Sequence, residues 1–195
     1  MKRMFQLFAI IIIVMCLLCA CSVGSSFPTE TKADELPIDP YERGIKHLYK
    51  VGEDINAGLY LASLTDGSIA SYCIASDPDC DDILSNGHFH ERSYIEVNDG
   101  EYLDTSFCDI IPFSDAEPYQ ASNGIIDEGQ YLVGFDIAPG AYRLIGTGTG
   151  DAGRYTISYD ANGDRIADEN TFVGYDYVTV YNGEYLELSN CVIEL

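Results

Sequence analysis

The chain has 195 residues and a formal net charge of −22, from 32 acidic and 10 basic residues. This acidity argues against nucleic acid as a partner, because a phosphate backbone requires a basic surface. The chain contains 15 tyrosines and no tryptophan, so any exposed aromatic surface must be built mainly from tyrosine.

Residues 1–20 have the pattern of a secretory signal peptide. Lys2 and Arg3 precede an apolar run at residues 5–18, which is shorter than the ~20 residues of a membrane-spanning helix. The closing Leu-Cys-Ala-Cys resembles the lipobox of bacterial lipoproteins, which implies cleavage before Cys21 and a lipid on its thiol. We therefore expect Cys21 to anchor the chain in the cell membrane, with the remainder on the extracellular face. An uncleaved N-terminal anchor is the alternative and implies the same location.

Residues 21–44 are predicted to form a flexible tether. The stretch is rich in serine, proline and charged residues, and it has too few large apolar side chains to bury a core. As a flexible coil, residues 22–39 would span about 25 Å.

Beyond the tether the chain is duplicated. YKVGEDINAGLY at residues 49–60 and YLVGFDIAPGAY at residues 131–142 share the pattern Y-x-V-G-x-D-I-x-x-G-x-Y, at an offset of 82 that becomes 83 from Tyr72 onward. The sequence thus predicts two copies of one unit, named here module 1 (residues 45–112) and module 2 (residues 129–195), with a linker at residues 113–128. Units of about 65 residues are marginally stable alone, so we expect the modules to pack against each other.

Each module is predicted to be all-β. Alternating apolar and polar residues are frequent, and no segment has a sustained helical period. Five or six short strands per module indicate a small antiparallel β-sandwich or a partly open barrel.

Three turns are predicted in module 2. A three-residue hairpin loop at residues 181–183 would set Val178 opposite Leu186 and direct Val178, Val180, Leu186 and Leu188 inward, with an equivalent loop at residues 98–100. Residues 138–141 read Ala-Pro-Gly-Ala, which suits a type II turn. A further hairpin is predicted at Asn162-Gly163, whereas Asp79-Cys80 in module 1 is a poorer turn former, for which we expect a different loop.

The repeated pattern resembles a known all-β module. The V-G-x-D-I-x-x-G-x-Y opening, a central phenylalanine (Phe89 and Phe172) and a closing V-x-x-G-x-Y-L-x-L are similar to modules of Gram-positive lipoproteins and surface proteins. The resemblance covers residues 49–112 and 131–195, and it implies a fold and a surface location. The family has no established activity, so the resemblance implies no catalytic residue.

Two groups of side chains are candidate metal ligands. His88 and His90 at i and i+2 on a strand would share one face, as zinc ligands do, but module 2 has no histidine there, so we expect an inward Phe89 between two solvated imidazoles. Acidic residues at two turns suggest a weak calcium site: Asp77, Asp79 and Asp81 in module 1, and Asp160 and Asp164 in module 2. The EF-hand spacing fails in both required positions, so we expect acidic turn tips and no cofactor.

Four cysteines follow the predicted tether. Cys108 and Cys191 are equivalent, whereas Cys73 and Cys80 occur in module 1 alone. If the cysteines are oxidised outside the cytoplasm, Cys73–Cys108 is the pair we select and Cys73–Cys80 is the local alternative. Four buried thiols are a further alternative.

The tyrosines are the candidate ligand surface. The predicted register directs Tyr94, Tyr102, Tyr177 and Tyr185 away from the core, where they could bind a cell-wall glycan or a surface protein. They could equally shield the sheet or lie between the modules. We therefore expect a non-catalytic binding or adhesion protein at the cell envelope, with a structural or protective spacer as the alternative. An envelope hydrolase is the least favoured class, because no catalytic arrangement stands out.

Overall fold

The structure is a computed structural model that describes residues 46–67, 69–148 and 152–195. The predicted signal peptide (residues 1–20), the lipidation residue Cys21 and the predicted tether (residues 21–44) lie outside the described residues. Within the described ranges, no helix is long and apolar enough to cross a membrane.

Module 1 folds into two facing antiparallel sheets. Its seven strands are β1 (Lys46–Lys50), β2 (Gly58–Leu64), β3 (Ala70–Ala75), β4 (Ile83–Phe89), β5 (Arg92–Val97), β6 (Tyr102–Ser106) and β7 (Cys108–Pro112). One sheet has the order β1-β6-β3-β4 and the other the order β5-β2-β7. A single turn of 3-10 helix (Phe113–Asp115) follows β7.

Module 2 repeats this arrangement and adds one strand. Its strands are β8 (Ile125–Ile126), β9 (Gly129–Leu132), β10 (Gly140–Gly146), β11 (Gly153–Ser158), β12 (Ile166–Phe172), β13 (Tyr175–Val180), β14 (Tyr185–Ser189) and β15 (Cys191–Glu194). The sheet β9-β14-β11-β12 matches the four-stranded sheet of module 1, and β13-β10-β15 matches its three-stranded sheet. The additional β8 comes from the predicted linker and pairs with β15, and its Ile126 is buried in the core of module 2.

The predicted fold class is therefore confirmed, as two sandwiches with no sheet closed into a barrel. Each module has seven equivalent strands, not the five or six expected. Equivalent residues fill equivalent positions of the two cores: Phe89 and Phe172, Leu103 and Leu186, and Cys108 and Cys191 are all buried.

The predicted hairpin at residues 181–183 is wrong. Its flanking strands β13 and β14 lie in opposite sheets, so the turn crosses the sandwich, and β5 and β6 do the same in module 1. The predicted inner face is nevertheless confirmed, because Val178, Val180, Leu186 and Leu188 are each at most 2% exposed. A crossing turn and a hairpin direct the same alternate side chains inward, so the apolar pattern alone cannot separate them.

The repeated phrase forms a turn that supports this crossing. The Val133 N–H donates to the Glu184 carbonyl at 2.9 Å, and the Gly183 N–H donates to the Val133 carbonyl at 2.9 Å. The same two bonds recur at the equivalent atoms of module 1. The bend lies at residues 133–137, where Gly134 has a φ of 95°. The type II turn predicted at residues 138–141 is wrong, because Gly140 is not in the left-handed region.

The aspartate and the closing tyrosine of the phrase also have structural roles. The Asp54 carboxylate accepts a hydrogen bond from the Lys50 N–H at 2.8 Å, and Asp136 accepts one from the Leu132 N–H at 2.9 Å. The closing tyrosine of each copy donates its hydroxyl to the carbonyl four residues earlier, at 2.7 Å and 2.6 Å. The phrase is repeated because each sandwich needs this turn.

The hairpin predicted at Asn162-Gly163 is confirmed, since β11 and β12 pair on either side of it. The different loop expected at Asp79-Cys80 is wrong. The β3–β4 turn closes with the Ser76 N–H donating to Asp82, and the β11–β12 turn closes with the equivalent bond from Tyr159 to Arg165, both at 3.0 Å.

The described residues of both modules belong to one compact unit, and the modules pack against each other as expected. The outer face of the β5-β2-β7 sheet buries Leu61 and Tyr94 against Ala161 of module 2. Other apolar side chains pack around these three: Leu59, Phe113, Ala116, Leu132 and Tyr185. This apolar contact supplies the non-directional part of the association between the modules.

A buried ion pair lies beside this apolar contact. Arg92 Nη2 of module 1 contacts Asp136 Oδ1 of module 2 at 2.9 Å, with side chains 9% and 0% exposed. The Tyr94 hydroxyl donates to Asp136 Oδ2 at 2.7 Å. Rings of Tyr94, Tyr119 and Tyr131 lie 5.3–5.5 Å from the guanidinium carbon, within cation–π range. These rings surround a guanidinium whose Nε has no hydrogen-bond partner among the residues that the structure describes.

Side chains of module 2 also cover the edge of β5. Gln130 Oε1 accepts the Tyr94 N–H at 2.7 Å, and Asn162 bonds both the N–H and the carbonyl of Glu96 at 2.9 Å. The backbone of Gly129 approaches so closely that a Cβ there would lie 2.8 Å from Arg92 Cγ. The module 1 equivalent of Gly129 is His47, where no second module needs room.

We predict that Arg92→Ala lowers the free energy of unfolding by about 3–5 kcal/mol, because it leaves the Asp136 carboxylate buried without its charge partner. The matched control is Glu169→Ala, whose ion pair with Arg154 has the same kind of contact at 2.8 Å but is about half exposed. That control should cost less than about 1 kcal/mol. Urea denaturation measures both, and equal losses would contradict the role given to the buried pair.

Candidate functional site

The outer face of the β13-β10-β15-β8 sheet exposes an aromatic cluster. Tyr175 and Tyr177 are 60% and 64% exposed, and their rings meet edge to face at 6.1 Å. The Arg143 guanidinium of the adjacent strand β10 lies 5.1 Å from the centre of the Tyr175 ring. We name these three residues the tyrosine face. Tyrosine and arginine are the side chains most enriched at the energetic centres of protein interfaces.

Further exposed side chains lie close to the tyrosine face along the chain. Val173, just before β13, is 86% exposed, and Tyr181, just after β13, is 65% exposed. Large exposed apolar and aromatic groups in one region of a water-soluble surface are typical of a contact site.

The equivalent face of module 1 is already occupied. Tyr175 and Tyr177 correspond to Arg92 and Tyr94, at the offset of 83. Arg92 and Tyr94 are buried against module 2, and the edge of their strand is covered by Gln130. The same face of the same fold therefore binds a protein surface in module 1 and is open in module 2.

The four tyrosines of the predicted ligand surface are separated by the fold. Tyr177 is exposed, whereas Tyr94 is fully buried and meets Tyr185 edge to face at 5.6 Å in the contact between modules. Tyr102 is half-buried, with Lys50 Nζ 5.8 Å from its ring centre. Tyr94 and Tyr185 therefore fit the alternative of packing between modules, which removes Tyr94 from the ligand surface. Tyr175 was missed, although its spacing of two residues from Tyr177 puts both on one face.

A polar cleft of about 210 Å³ lies where the modules meet. Nine of its lining residues, drawn from both modules, have polar side chains: Tyr72, Asn86, His88, Ser93, Gln130, Arg154, Thr156, Asn162 and Glu187. Burial raises the pKa of Glu187 above its ordinary value, and Arg154 partly opposes this shift. A carboxyl group held in such a place lowers stability when it is ionised.

The predicted histidines lie on either side of a buried phenylalanine. His88 and His90 are exposed and Phe89 is buried, as expected. His88 lines the polar cleft with Glu187, while His90 lines a more open cleft of about 420 Å³ beside Glu91, Asp127 and Glu128. Within the described ranges, no group of three or more His, Cys, Asp or Glu is arranged to hold a metal ion.

The aspartates predicted as weak calcium ligands form the two equivalent hairpin turns. Asp77 accepts hydrogen bonds from the N–H groups of Asp79, Asp81 and Asp82, and these bonds lower its pKa, the bond from Asp82 most. In module 2, Asp160 accepts the N–H groups of Asp164 and Arg165 in the same way. The Asp77 and Asp160 carboxylates thus stabilise the two turns.

The four described cysteines are free thiols in the structure. Cys108 is buried in the core of module 1, whereas Cys73 lies in β3 between the inward residues Tyr72 and Ile74 and lines a depression on the outer surface. The sheet thus separates the predicted Cys73–Cys108 pair. Cys73 instead interacts with Cys80, the local alternative.

Comparison with protein-family models, curated proteins and solved structures found no match to this chain.

We predict that Glu187→Gln raises the melting temperature at pH 7 by a few degrees. With the folded pKa raised above 4.5, the folded chain keeps a proton that the unfolded chain has released, so stability is lost as the pH rises from 4.5 through the raised value. The advantage of the variant should therefore vanish below about pH 4. Thermal melts at several pH values test this, with the exposed Glu194→Gln as control. An equal advantage at pH 4 and pH 7 would contradict the assignment.

Proposed function

We propose that this chain is a membrane-anchored extracellular lipoprotein whose module 2 binds a partner protein at the cell envelope without catalysis. The proposal combines the lipobox resemblance around Cys21 with the open tyrosine face. The observation that carries the binding function is the difference between the modules: one face is occupied by protein in module 1 and is open in module 2.

A protein partner is favoured over a glycan. The face of module 1 accepts β9 and the β11–β12 turn of module 2, whose Gln130 and Asn162 side chains bond the edge of β5. β13 is the equivalent edge strand of module 2 and has no strand on its outer side among the described residues. Exposed edges bind extended protein segments. A cell-wall glycan, for which the absence of tryptophan is unfavourable, is the competing ligand.

A second copy of this chain fits the open face poorly. In each copy, Gln130 and Asn162 of module 2 already bond that copy's own module 1. A second copy would therefore have to dock through its module 1, where Leu48 and Asp79 stand in place of these two residues. Leucine can form none of these bonds, and an aspartate can accept from the strand N–H but cannot donate to its carbonyl. Two chains of net charge −22 would also repel each other.

A structural spacer is the second candidate function. Burial of Tyr94 and Tyr185 between the modules favours it, because a fixed contact makes the pair a rigid body. Such a body on a lipid anchor could hold surface components away from the membrane. The spacer role does not need the tyrosine face to contact anything, which separates it from the binding role.

The location is tested by Cys21→Ser, which we expect to move the protein from the membrane fraction to the medium or the soluble fraction. The reason is that the lipid requires the Cys21 thiol, and without acyl chains no stable anchoring remains. Cys19→Ser is the matched control and should stay in the membrane fraction. Lipidation at this residue would be contradicted if the Cys21 variant stayed in the membrane fraction and the wild type did not partition into the detergent phase.

The binding function is tested with the chain lacking residues 1–21 as immobilised bait, with and without calcium. Extracted surface proteins and protease-treated wall glycans serve as separate ligands. We expect a surface protein to be retained and the Tyr175→Ser/Tyr177→Ser variant to bind at least about tenfold more weakly, because exposed tyrosines commonly dominate interface energy. Tyr159→Ser, in the β11–β12 turn and 56% exposed, is the control.

Three results would contradict this proposal in different ways. Retention of glycan in place of protein would exclude the chosen partner class. Retention that survives the double substitution would exclude the tyrosine face. If nothing is retained in either condition, the spacer becomes the better description.

A further inference from the structure

The β3–β4 hairpin of module 1 carries two cysteines that the matching hairpin of module 2 lacks. Cys73 and Cys80 correspond to Thr156 and Gly163. The two hairpins otherwise agree closely, since their strand registers shift at the same point, after Ile74 and after Ile157. Module 2 thus serves as an internal reference for this hairpin without cysteines.

Cys80 occupies a backbone position that suits glycine. Its φ is 56°, and the equivalent Gly163 has a φ of 75°. A side chain is unfavourable in this left-handed region, and cysteine is not among the residues enriched there. The aspartate that caps each turn holds the backbone in the same shape, so the strain is present in module 1 alone. A strained residue at such a place calls for a compensating interaction.

The compensating interaction is with the other cysteine. The Cys80 side chain is half-buried and lies beside that of Cys73, which is also half-buried. Cys73 lines an open depression of about 290 Å³ on the outer face of the sheet, next to Asn86 and Asp104. Cys73 therefore lies on the solvent side of the sheet, where a redox reagent can reach it, and Cys80 lies in the turn, partly exposed.

We propose that Cys73 and Cys80 form a disulfide bond in the mature protein, which ties the tip of the β3–β4 hairpin to its own sheet. The bond uses two residues that occur together in one module and are replaced together in the other. It rests on the proposed extracellular location, where thiols are oxidised, and is independent of the tyrosine face.

The oxidant is a disulfide of a thiol–disulfide exchange protein or of a small thiol. The Cys73 thiolate attacks one sulfur of that disulfide, releases a thiolate and leaves a mixed disulfide on Cys73. The Cys80 thiolate then attacks the Cys73 sulfur, which forms the new S–S bond and releases the second thiol of the oxidant. The two cysteines lose two protons and two electrons in total, and the oxidant disulfide is reduced to two thiols.

The surroundings of Cys80 favour a stable bond over a reactive one. Burial raises the pKa of Cys80, and the adjacent Cys73 raises it further. A thiol of raised pKa is a poor leaving group, so reductants open its disulfide slowly. The bond therefore acts as a structural closure of the hairpin.

The test is peptide mapping of the full chain, purified from membranes and, separately, refolded in a buffer of oxidised and reduced glutathione. Free thiols are alkylated first. The Asp77–Pro78 bond lies between the two cysteines and is cleaved by mild acid, and trypsin then cuts after Arg92, which separates Cys80 from Cys108 and Cys191. A Cys73–Cys80 disulfide therefore keeps the fragments 51–77 and 78–92 joined until reduction. We expect joined fragments in both preparations. Alkylated Cys73 and Cys80 in both, or either cysteine bonded to a different residue, would overturn the proposal.

Variants that restore the residues of module 2 provide a second measurement. Cys80→Gly and Cys73→Thr should fold, because module 2 has these residues in the same hairpin. Reductant should lower the melting temperature of the wild type by about 5 °C and leave both variants unchanged. A wild type that does not respond to reductant would also overturn the proposal. The refolding arm does not depend on the anchor or on any partner, so its failure is distinct from failure of the proposed function.

Discussion

The buried Asp136 carboxylate determines how the two modules meet. It accepts hydrogen bonds from Arg92 and Tyr94 of module 1, from the Tyr119 N–H of the linker, and from the Leu132 N–H of its own module, at 2.7–3.0 Å. A charge removed from water needs such partners, because its desolvation would otherwise exceed any gain from packing. The burial of Tyr94 raises its pKa, and the nearby Asp136 charge raises it further, so its hydroxyl remains a donor. Three segments of the chain must come together before this carboxylate is satisfied.

The same residue of the repeated phrase has a simpler role in module 1. Asp54 is exposed and accepts the Lys50 N–H, which closes the local turn. In module 2, Asp136 keeps the turn-closing bond, and its carboxylate also accepts hydrogen bonds from the neighbouring module. Other residues at the contact between modules also differ from their equivalents: Gly129 and Gln130 stand where module 1 has His47 and Leu48. A duplicated fold has thus become a pair of unequal modules, one covered on its outer face and the other open.

The sequence predicts what depends on local pattern. Alternation in the strands identifies the buried residues around Leu103 and Leu186, and the duplication predicts two modules of one fold. The sequence does not predict the path of the chain at the 181–183 turn. The flanking strands bury the same residues whether the turn joins two paired strands or crosses between the sheets. The burial of Tyr94 is also hidden, since this residue points away from its own core and into the contact with module 2. Differences between equivalent residues, such as Arg92 and Tyr175, were the available signal for that contact.

Asp136 and its donors make the two sandwiches a single cooperative unit, a role that calorimetry of the unmodified protein tests most directly. Coupled modules should melt in one transition whose van 't Hoff enthalpy equals the calorimetric enthalpy. Two resolved transitions, or a van 't Hoff enthalpy near half the calorimetric value, would mean that each sandwich unfolds independently and that the buried carboxylate does not couple them.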